Sequence, residues 1–111
     1  MYQCKRSGTV DTISGSQPLS RETKTDFLNS VESCFGKGQP HIVLDLAAVP
    51  LMDSEGLDAL LEARDQCVRL GGCIVLARPN ALCRDILRIN GIEQELNVFD
   101  DIVNAMGSFA K

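Results

Sequence analysis

The residues whose types and spacing best suit chemistry form the short run Asp53-Ser54-Glu55-Gly56-Leu57, which follows an aliphatic segment and a loop. The run lies at the predicted start of a helix, where the first four backbone N–H groups lack partners within the helix. Such a position favours a negative charge by about 0.3–1 kcal/mol. Ser54 can therefore carry a phosphoryl group there, although a simple helix N-cap at Asp53 or Ser54 explains the same residues.

Carboxylates surround the Ser54 hydroxyl in the sequence, since Asp53, Glu55 and Asp58 are close to it and Glu62 follows on the same half of the helix. A phosphate on Ser54 would repel these groups and change what the surface attracts.

Other chemistries find less support in the sequence. A Ser or Cys nucleophile needs a base within reach, and the one histidine, His41, precedes a buried strand. Asp45, at a strand end, would suit a receiver domain that phosphorylates its own aspartate. A receiver also needs an acidic pair after its first strand, whereas Asp11 stands alone. We therefore expect no catalytic residue and no enzyme.

Cysteine usage indicates reduced thiols. The five cysteines are Cys4, Cys34, Cys67, Cys73 and Cys83. Their number is odd and no pair has C-x-x-C spacing, which is typical of thiols packed as small apolar groups. Zinc would require clustered Cys and His at ligand spacing, so the sequence predicts no metal site and no cofactor.

Arg84 and Arg88 lie four residues apart on one predicted helix, with Arg78 just before it. They could bind an anionic lipid headgroup or a nucleotide. A solvated face with Asp85 interspersed is the simpler interpretation.

Short aliphatic runs alternate with amphipathic segments along the chain. The predicted strands are residues 2–6, 9–14, 41–46, 73–76 and 98–99. The predicted helices are residues 20–35 with Ser20 as N-cap, 54–70, 81–89 with Asn80 as N-cap, and a last one from Asp100 to about residue 106. This order, β-β-α-β-α-β-α-β-α, predicts an α/β fold with a mixed central sheet and about four helices.

Length and charge narrow the class of protein. The chain has 111 residues and a formal net charge of −4, which predicts one domain over residues 1–111 and argues against a nucleic-acid partner. No apolar run approaches the ~20 residues of a membrane span, and the N-terminus has no signal-type apolar region. We expect a soluble, cytoplasmic protein without direct membrane insertion.

Residues 41–105 resemble the STAS domain, the sulfate-transporter and anti-sigma-factor-antagonist module. The matching pieces, in order, are the strand at 43–46, the Asp-Ser-x-Gly-Leu motif at 53–57, Gly71-Gly72, the strand and Asn-Pro region at 74–80, Ile-Asn-Gly-Ile at 89–92, and residues 98–101.

The resemblance implies a function. In bacterial anti-sigma-factor antagonists of this family, a serine kinase that is also the anti-sigma factor phosphorylates the Ser after the motif Asp, and a PP2C-type phosphatase reverses this. The unmodified antagonist binds the kinase and frees the sigma factor. Applied to this chain, the resemblance implies that Ser54 is the phosphorylation site and that the small Gly56 allows a partner to approach. The implied partner-binding residues are Asp53, Ser54, Glu55, Gly56, Leu57 and Asp58.

Some residues depart from the antagonist pattern. Glu55 stands where Ser or Thr is common, Asp58 stands where a small or apolar residue is common, and residues 15–19 lack the usual acid. Two alternative functions therefore stay open. The chain could be a soluble accessory subunit of an ABC-type lipid or anion transporter, or a docking module of a sensory complex. The oligomeric state stays open as well.

Overall fold

The computed structural model describes residues 2–36 and 38–109; Met1, Lys37, Ala110 and Lys111 lie outside the described residues. Within them, five strands alternate with four helices. The strands are β1 (Gln3–Ser7), β2 (Val10–Ser14), β3 (His41–Asp45), β4 (Cys73–Ala77) and β5 (Val98–Phe99). The helices are α1 (Lys24–Glu32), α2 (Ser54–Arg69), α3 (Ala81–Ile89) and α4 (Ile102–Gly107), and a 3₁₀ turn covers Ile92–Gln94. The predicted fold class and element order are confirmed.

The strands form one sheet in the order β1-β2-β3-β4-β5. β1 and β2 form an antiparallel hairpin that turns at Gly8, whose φ is 63°. The pairs β2–β3, β3–β4 and β4–β5 are all parallel. Because parallel strands in sequential order are joined by right-handed crossovers, α1, α2 and α3 are expected on the same face of the sheet.

Alternating side chains along the inner strands separate two cores. Ile42 and Leu44 belong to the larger core, which also contains buried side chains of α1, α2 and α3. Val43, between them, belongs to a smaller core on the other face, where Ala105 of α4 packs. The sheet is thus covered on both faces, with three helices on one side and α4 on the other.

Two predicted helix starts are wrong. α1 begins at Lys24 with Thr23 as N-cap instead of Ser20, because the Thr23 Oγ1 accepts a 3.0 Å bond from the Ser20 N–H and donates a 2.7 Å bond to the Pro18 carbonyl. These bonds hold residues 18–23 as a turn. α4 is capped by Asp101, whose carboxylate accepts from the Asn104 N–H at 2.7 Å, instead of Asp100. Other boundaries shift by a few residues, and α1 ends earlier than predicted, at Glu32.

Helix length bears on membrane insertion. Among the described helices, none combines the length and the apolar composition that crossing a bilayer requires.

Candidate functional site

Asp53 organises the start of α2. Its backbone is extended, and its carboxylate accepts a 2.8 Å bond from the Gly56 N–H and a 3.2 Å bond from the Arg21 N–H. The pKa of this carboxyl is lowered, chiefly by the bond from Gly56 and further by the one from Arg21, because N–H donors favour the charged form. Asp53 therefore joins the segment before α1 to the first turn of α2.

The same segment packs closely on α2 through Leu19. The Leu19 N–H donates to the Leu51 carbonyl at 3.0 Å, and the Leu19 carbonyl accepts from the Asp53 N–H at 3.2 Å. A Cβ on Gly56 would lie 1.9 Å from the Leu19 oxygen. The protein's own backbone therefore fills the space beside Gly56, and packing within the chain already requires a glycine here.

Ser54 is the first residue of α2, a helix of 16 residues, and it is exposed. Over residues 2–36 and 38–109, no hydrogen bond involves its hydroxyl. Since Asp53 fixes the helix start, the hydroxyl is held at the surface beside the first-turn N–H groups, of which that of Gly56 is bonded to Asp53. The hydroxyl is therefore accessible from solvent in the folded protein.

Two cations lie beside Glu55. The Lys24 Nζ is 2.7 Å from one Glu55 oxygen, and the Arg21 Nε is 4.0 Å from the other. The bond and charge of Glu55 raise the pKa of Lys24, and the charges of Glu62 and Asp58 add to this effect. The acidic residues of α2 near Lys24 are Glu55, Asp58 and Glu62. Lys24 and Arg21, at the start of α1, thus offset the negative charge of Glu55.

The six predicted partner-binding residues divide by burial. Leu57 lies in the larger core and is 7% exposed, and Gly56 is buried against Leu19. Ser54 and Asp58 are exposed, and Asp53 and Glu55 are half-buried. The accessible part of this surface therefore consists of polar and acidic side chains.

Sequence reasoning missed the two cations of this site. Arg21 and Lys24 are more than 30 residues from Glu55 along the chain, and only the packing of α1 on α2 joins them. The available signal was a pair of basic residues at the start of a helix that follows a turn.

Asp45 is already bonded at the end of β3. Arg78 donates to both of its oxygens, from Nε at 3.1 Å and from the terminal nitrogen Nη2 at 2.6 Å, and the Ala47 N–H adds a 3.1 Å bond. This pair lines a cavity of about 380 Å³ whose other walls include Ser14 and Ser16. These bonds support the interpretation of Asp45 as a structural acid at a strand end.

The other predicted candidates also have local partners. Arg84 contacts Asp100 at 2.5 Å, and Arg88 contacts Asp85 at 3.1 Å, so both guanidinium groups face carboxylates. The ring of His41 stacks on Phe109 with centroids 4.9 Å apart. These contacts favour a solvated helix face for Arg84 and Arg88 and a structural role for His41.

Residues that could hold a metal ion lie on other elements. Cys4, Asp11 and Cys34 place one ligand-type atom each within 4.8 Å of one another. No ligand spacing in the sequence indicates this group, because Cys34 joins the other two residues only through the fold.

The profile of the STAS domain family matches residues 3–105, which extends the resemblance to the N-terminal hairpin. No curated protein sequence matches the chain significantly.

Solved structures share the fold over nearly the whole chain. An anti-sigma factor antagonist from Mycobacterium paratuberculosis is 16% identical, with a TM-score of 0.88 over 100% of this chain and 94% of that one. The anti-sigma factor antagonist SpoIIAA, solved in its unphosphorylated form, is 14% identical, with a TM-score of 0.75 over 99% and 96%. The murine Slc26a9 anion transporter is 20% identical, with a TM-score of 0.78 over 92% of this chain and 18% of the transporter.

Proposed function

Because this chain belongs to the STAS domain family, we propose that it is a non-enzymatic regulatory binding protein of the anti-sigma-factor-antagonist kind. In this proposal, residues 1–111 are a single cytoplasmic domain, and phosphorylation of Ser54 switches its binding to a protein partner. A serine kinase that is also an anti-sigma factor adds the phosphate, and a PP2C-type phosphatase removes it. Nucleic acid and cofactors take no part.

The observation that carries the proposal is the position of Ser54. Its hydroxyl is exposed at the first turn of a long helix, and Asp53 fixes that turn through its bonds to Gly56 and Arg21. The solved relatives that span the whole chain include two anti-sigma factor antagonists, one of which was solved in an unphosphorylated form. The exposed hydroxyl supports Ser54 as the place of the switch, and the likeness to these antagonists supports control by phosphorylation.

The switch follows from charge. A phosphate adds about −1.5 to −2 charge at neutral pH, next to Glu55 and Asp58. The N–H groups of the helix start favour this negative charge, and the phosphate oxygens compete with Glu55 for Lys24 and Arg21. A partner that fits the unmodified surface then meets excess negative charge, and Lys24 and Arg21 have turned from Glu55 toward the phosphate. Both changes disfavour docking.

Intact-mass measurement after incubation with the cognate kinase and ATP tests the modification. We expect the native protein to gain one phosphate and Ser54→Ala to gain none. Ser16→Ala, in an exposed loop, is the matched control and should be modified like the native protein. Phosphate uptake by Ser54→Ala would contradict the proposal.

A second candidate function is a soluble accessory subunit of an ABC-type lipid or anion transporter, and the likeness to part of an anion transporter favours it. A docking module in a sensory complex is a related alternative. An accessory subunit should co-purify with membrane components, whereas an antagonist should co-purify with a kinase.

A further inference from the structure

Two thiols and a carboxylate meet at the N-terminal edge of the sheet. Cys4 lies on β1, Asp11 on β2, and Cys34 in the segment after α1. The two Sγ atoms are 3.4 Å apart, and a carboxylate oxygen of Asp11 lies within 4.8 Å of both. Three different elements thus converge on one point.

We propose that Cys4, Asp11 and Cys34 form a binding site for one thiophilic divalent ion such as Zn²⁺, with a fourth coordination position open to solvent. Thiolate and carboxylate are both common zinc ligands, and three protein ligands plus one open position is a known arrangement for zinc.

The distances suit such an ion. Zn–S bonds of about 2.3 Å in a tetrahedral site place two sulfurs about 3.8 Å apart. The observed 3.4 Å separation needs an adjustment of only a few tenths of an ångström. Rotation of the exposed Cys4 side chain can supply it, because β1 is an edge strand.

Burial gives the site one open side. Asp11 is 4% exposed and Cys34 is 6% exposed, whereas Cys4 is exposed. A metal ion can therefore enter past Cys4, and a water molecule or another small ligand can take the fourth position from the same direction.

Arg6 completes the arrangement. Its Nη1 donates to the Oδ2 of Asp11 at 3.2 Å, and over the described parts of the chain no bond reaches the other carboxylate oxygen. Oδ1 is therefore available as the ligand while Arg6 orients the carboxylate, as hydrogen-bond partners of metal ligands commonly do.

The charges balance in both states. Without metal, the charge of Asp11 is paired with that of Arg6. When M²⁺ binds, each thiol releases one proton to solvent and two S–M bonds form, with no change of oxidation state. Two thiolates and one carboxylate then oppose the ion and the guanidinium, so the half-buried site stays neutral overall.

Titration of the reduced full-length protein with Co²⁺ tests the site. We expect one equivalent to bind, with the thiolate charge-transfer band and the visible bands of tetrahedral Co²⁺, and we expect Zn²⁺ to displace it. Zn²⁺ should also raise the unfolding temperature. Absence of Co²⁺ uptake by the native protein would overturn the proposal.

Variants locate the ion. Cys4→Ser should abolish the charge-transfer band, and Arg6→Gln should weaken Co²⁺ binding by about 10–100-fold. Cys73→Ser changes a half-buried thiol outside the group and should bind Co²⁺ like the native protein. Circular dichroism checks that each variant is folded.

Two results would contradict this assignment. One is Co²⁺ binding by Cys4→Ser with native affinity. The other is a reduced native protein that binds no metal but forms a Cys4–Cys34 disulfide with glutathione disulfide, which would assign the pair to thiol oxidation.

Discussion

The carbonyl oxygen of Leu19 lies 1.9 Å from the point where a Cβ on Gly56 would stand. The Leu19 oxygen belongs to backbone that is bonded to Leu51 and Asp53, so it cannot move away freely. Gly56 thereby allows the segment before α1 to pack directly on the helix that carries Ser54, beside the bonds that Asp53 makes to the same segment.

Gly56→Ala should therefore lower the free energy of unfolding by about 1–3 kcal/mol or more, as overpacking does in well-packed sites. Urea denaturation measures the change. Gly107→Ala is the matched control, because a Cβ there meets nothing within 4 Å and the residue ends a helix. We expect the stability of Gly107→Ala to be unchanged or slightly higher than that of the native protein. If Gly56→Ala were as stable as the native protein, the Leu19 backbone would have moved to admit the methyl group, which would contradict the account.

The cap at Asp53 predicts a pH dependence. Its pKa is lowered in the folded protein by the N–H donors of Gly56 and Arg21. The unfolded chain therefore binds this proton more readily, so the contribution of Asp53 to stability is fully present above about pH 5 and is lost as the pH falls below about 4.

Asp53→Asn removes this titration while retaining an oxygen that can accept the cap bond. In urea denaturation at a series of pH values, the stability difference between the native protein and this variant should shrink as the pH falls through the lowered pKa. A difference that stays constant down to pH 2 would contradict the role of the ionised carboxylate.

Local patterns were enough to predict most of the scaffold. The aliphatic runs of β3 and β4, the Asn80 cap and the glycine after α2 all act over a few residues, and the structure confirms them. These elements bury their apolar side chains in the way that their spacing indicates.

Contacts between distant residues explain what the sequence did not reveal. The Thr23 bonds that delay the start of α1 act within a turn that is anchored by the pairing of Leu19 with Met52, 33 residues away. In the sequence, only acidic side chains are close to Ser54. Lys24 comes close to Glu55 through the packing of the helices, which the sequence does not reveal. Likewise, no spacing rule connects Cys4 with Cys34.

The two cations beside Glu55 predict a property of phosphorylated Ser54. A phosphoserine has an ordinary second pKa of about 6, and nearby cations lower it by favouring the dianion. In the Arg21→Ala/Lys24→Ala double variant, the phosphate pKa should be higher than in the native sequence, as measured by ³¹P NMR titration. Arg69→Ala, which removes a cation at the far end of α2, should leave it unchanged.

Thiol reactivity should follow exposure. Burial raises the pKa of Cys67 to about 12 and also raises that of Cys34, whereas Cys4 is exposed on the edge strand. With Ellman's reagent at neutral pH, Cys4→Ser should remove the fastest phase, because the thiolate is the reactive form. Cys67→Ser should leave that phase intact; the opposite pattern would place the reactive thiol elsewhere.

Binding of the partner kinase, measured by calorimetry, tests the central claim most directly. The native protein should bind, and Ser54→Asp and the phosphorylated protein should bind at least about tenfold more weakly, a loss of about 1.4 kcal/mol. Ser16→Asp adds the same charge elsewhere on the surface and should bind like the native protein. Equal affinity of the native and Ser54-phosphorylated proteins for that kinase would contradict the account.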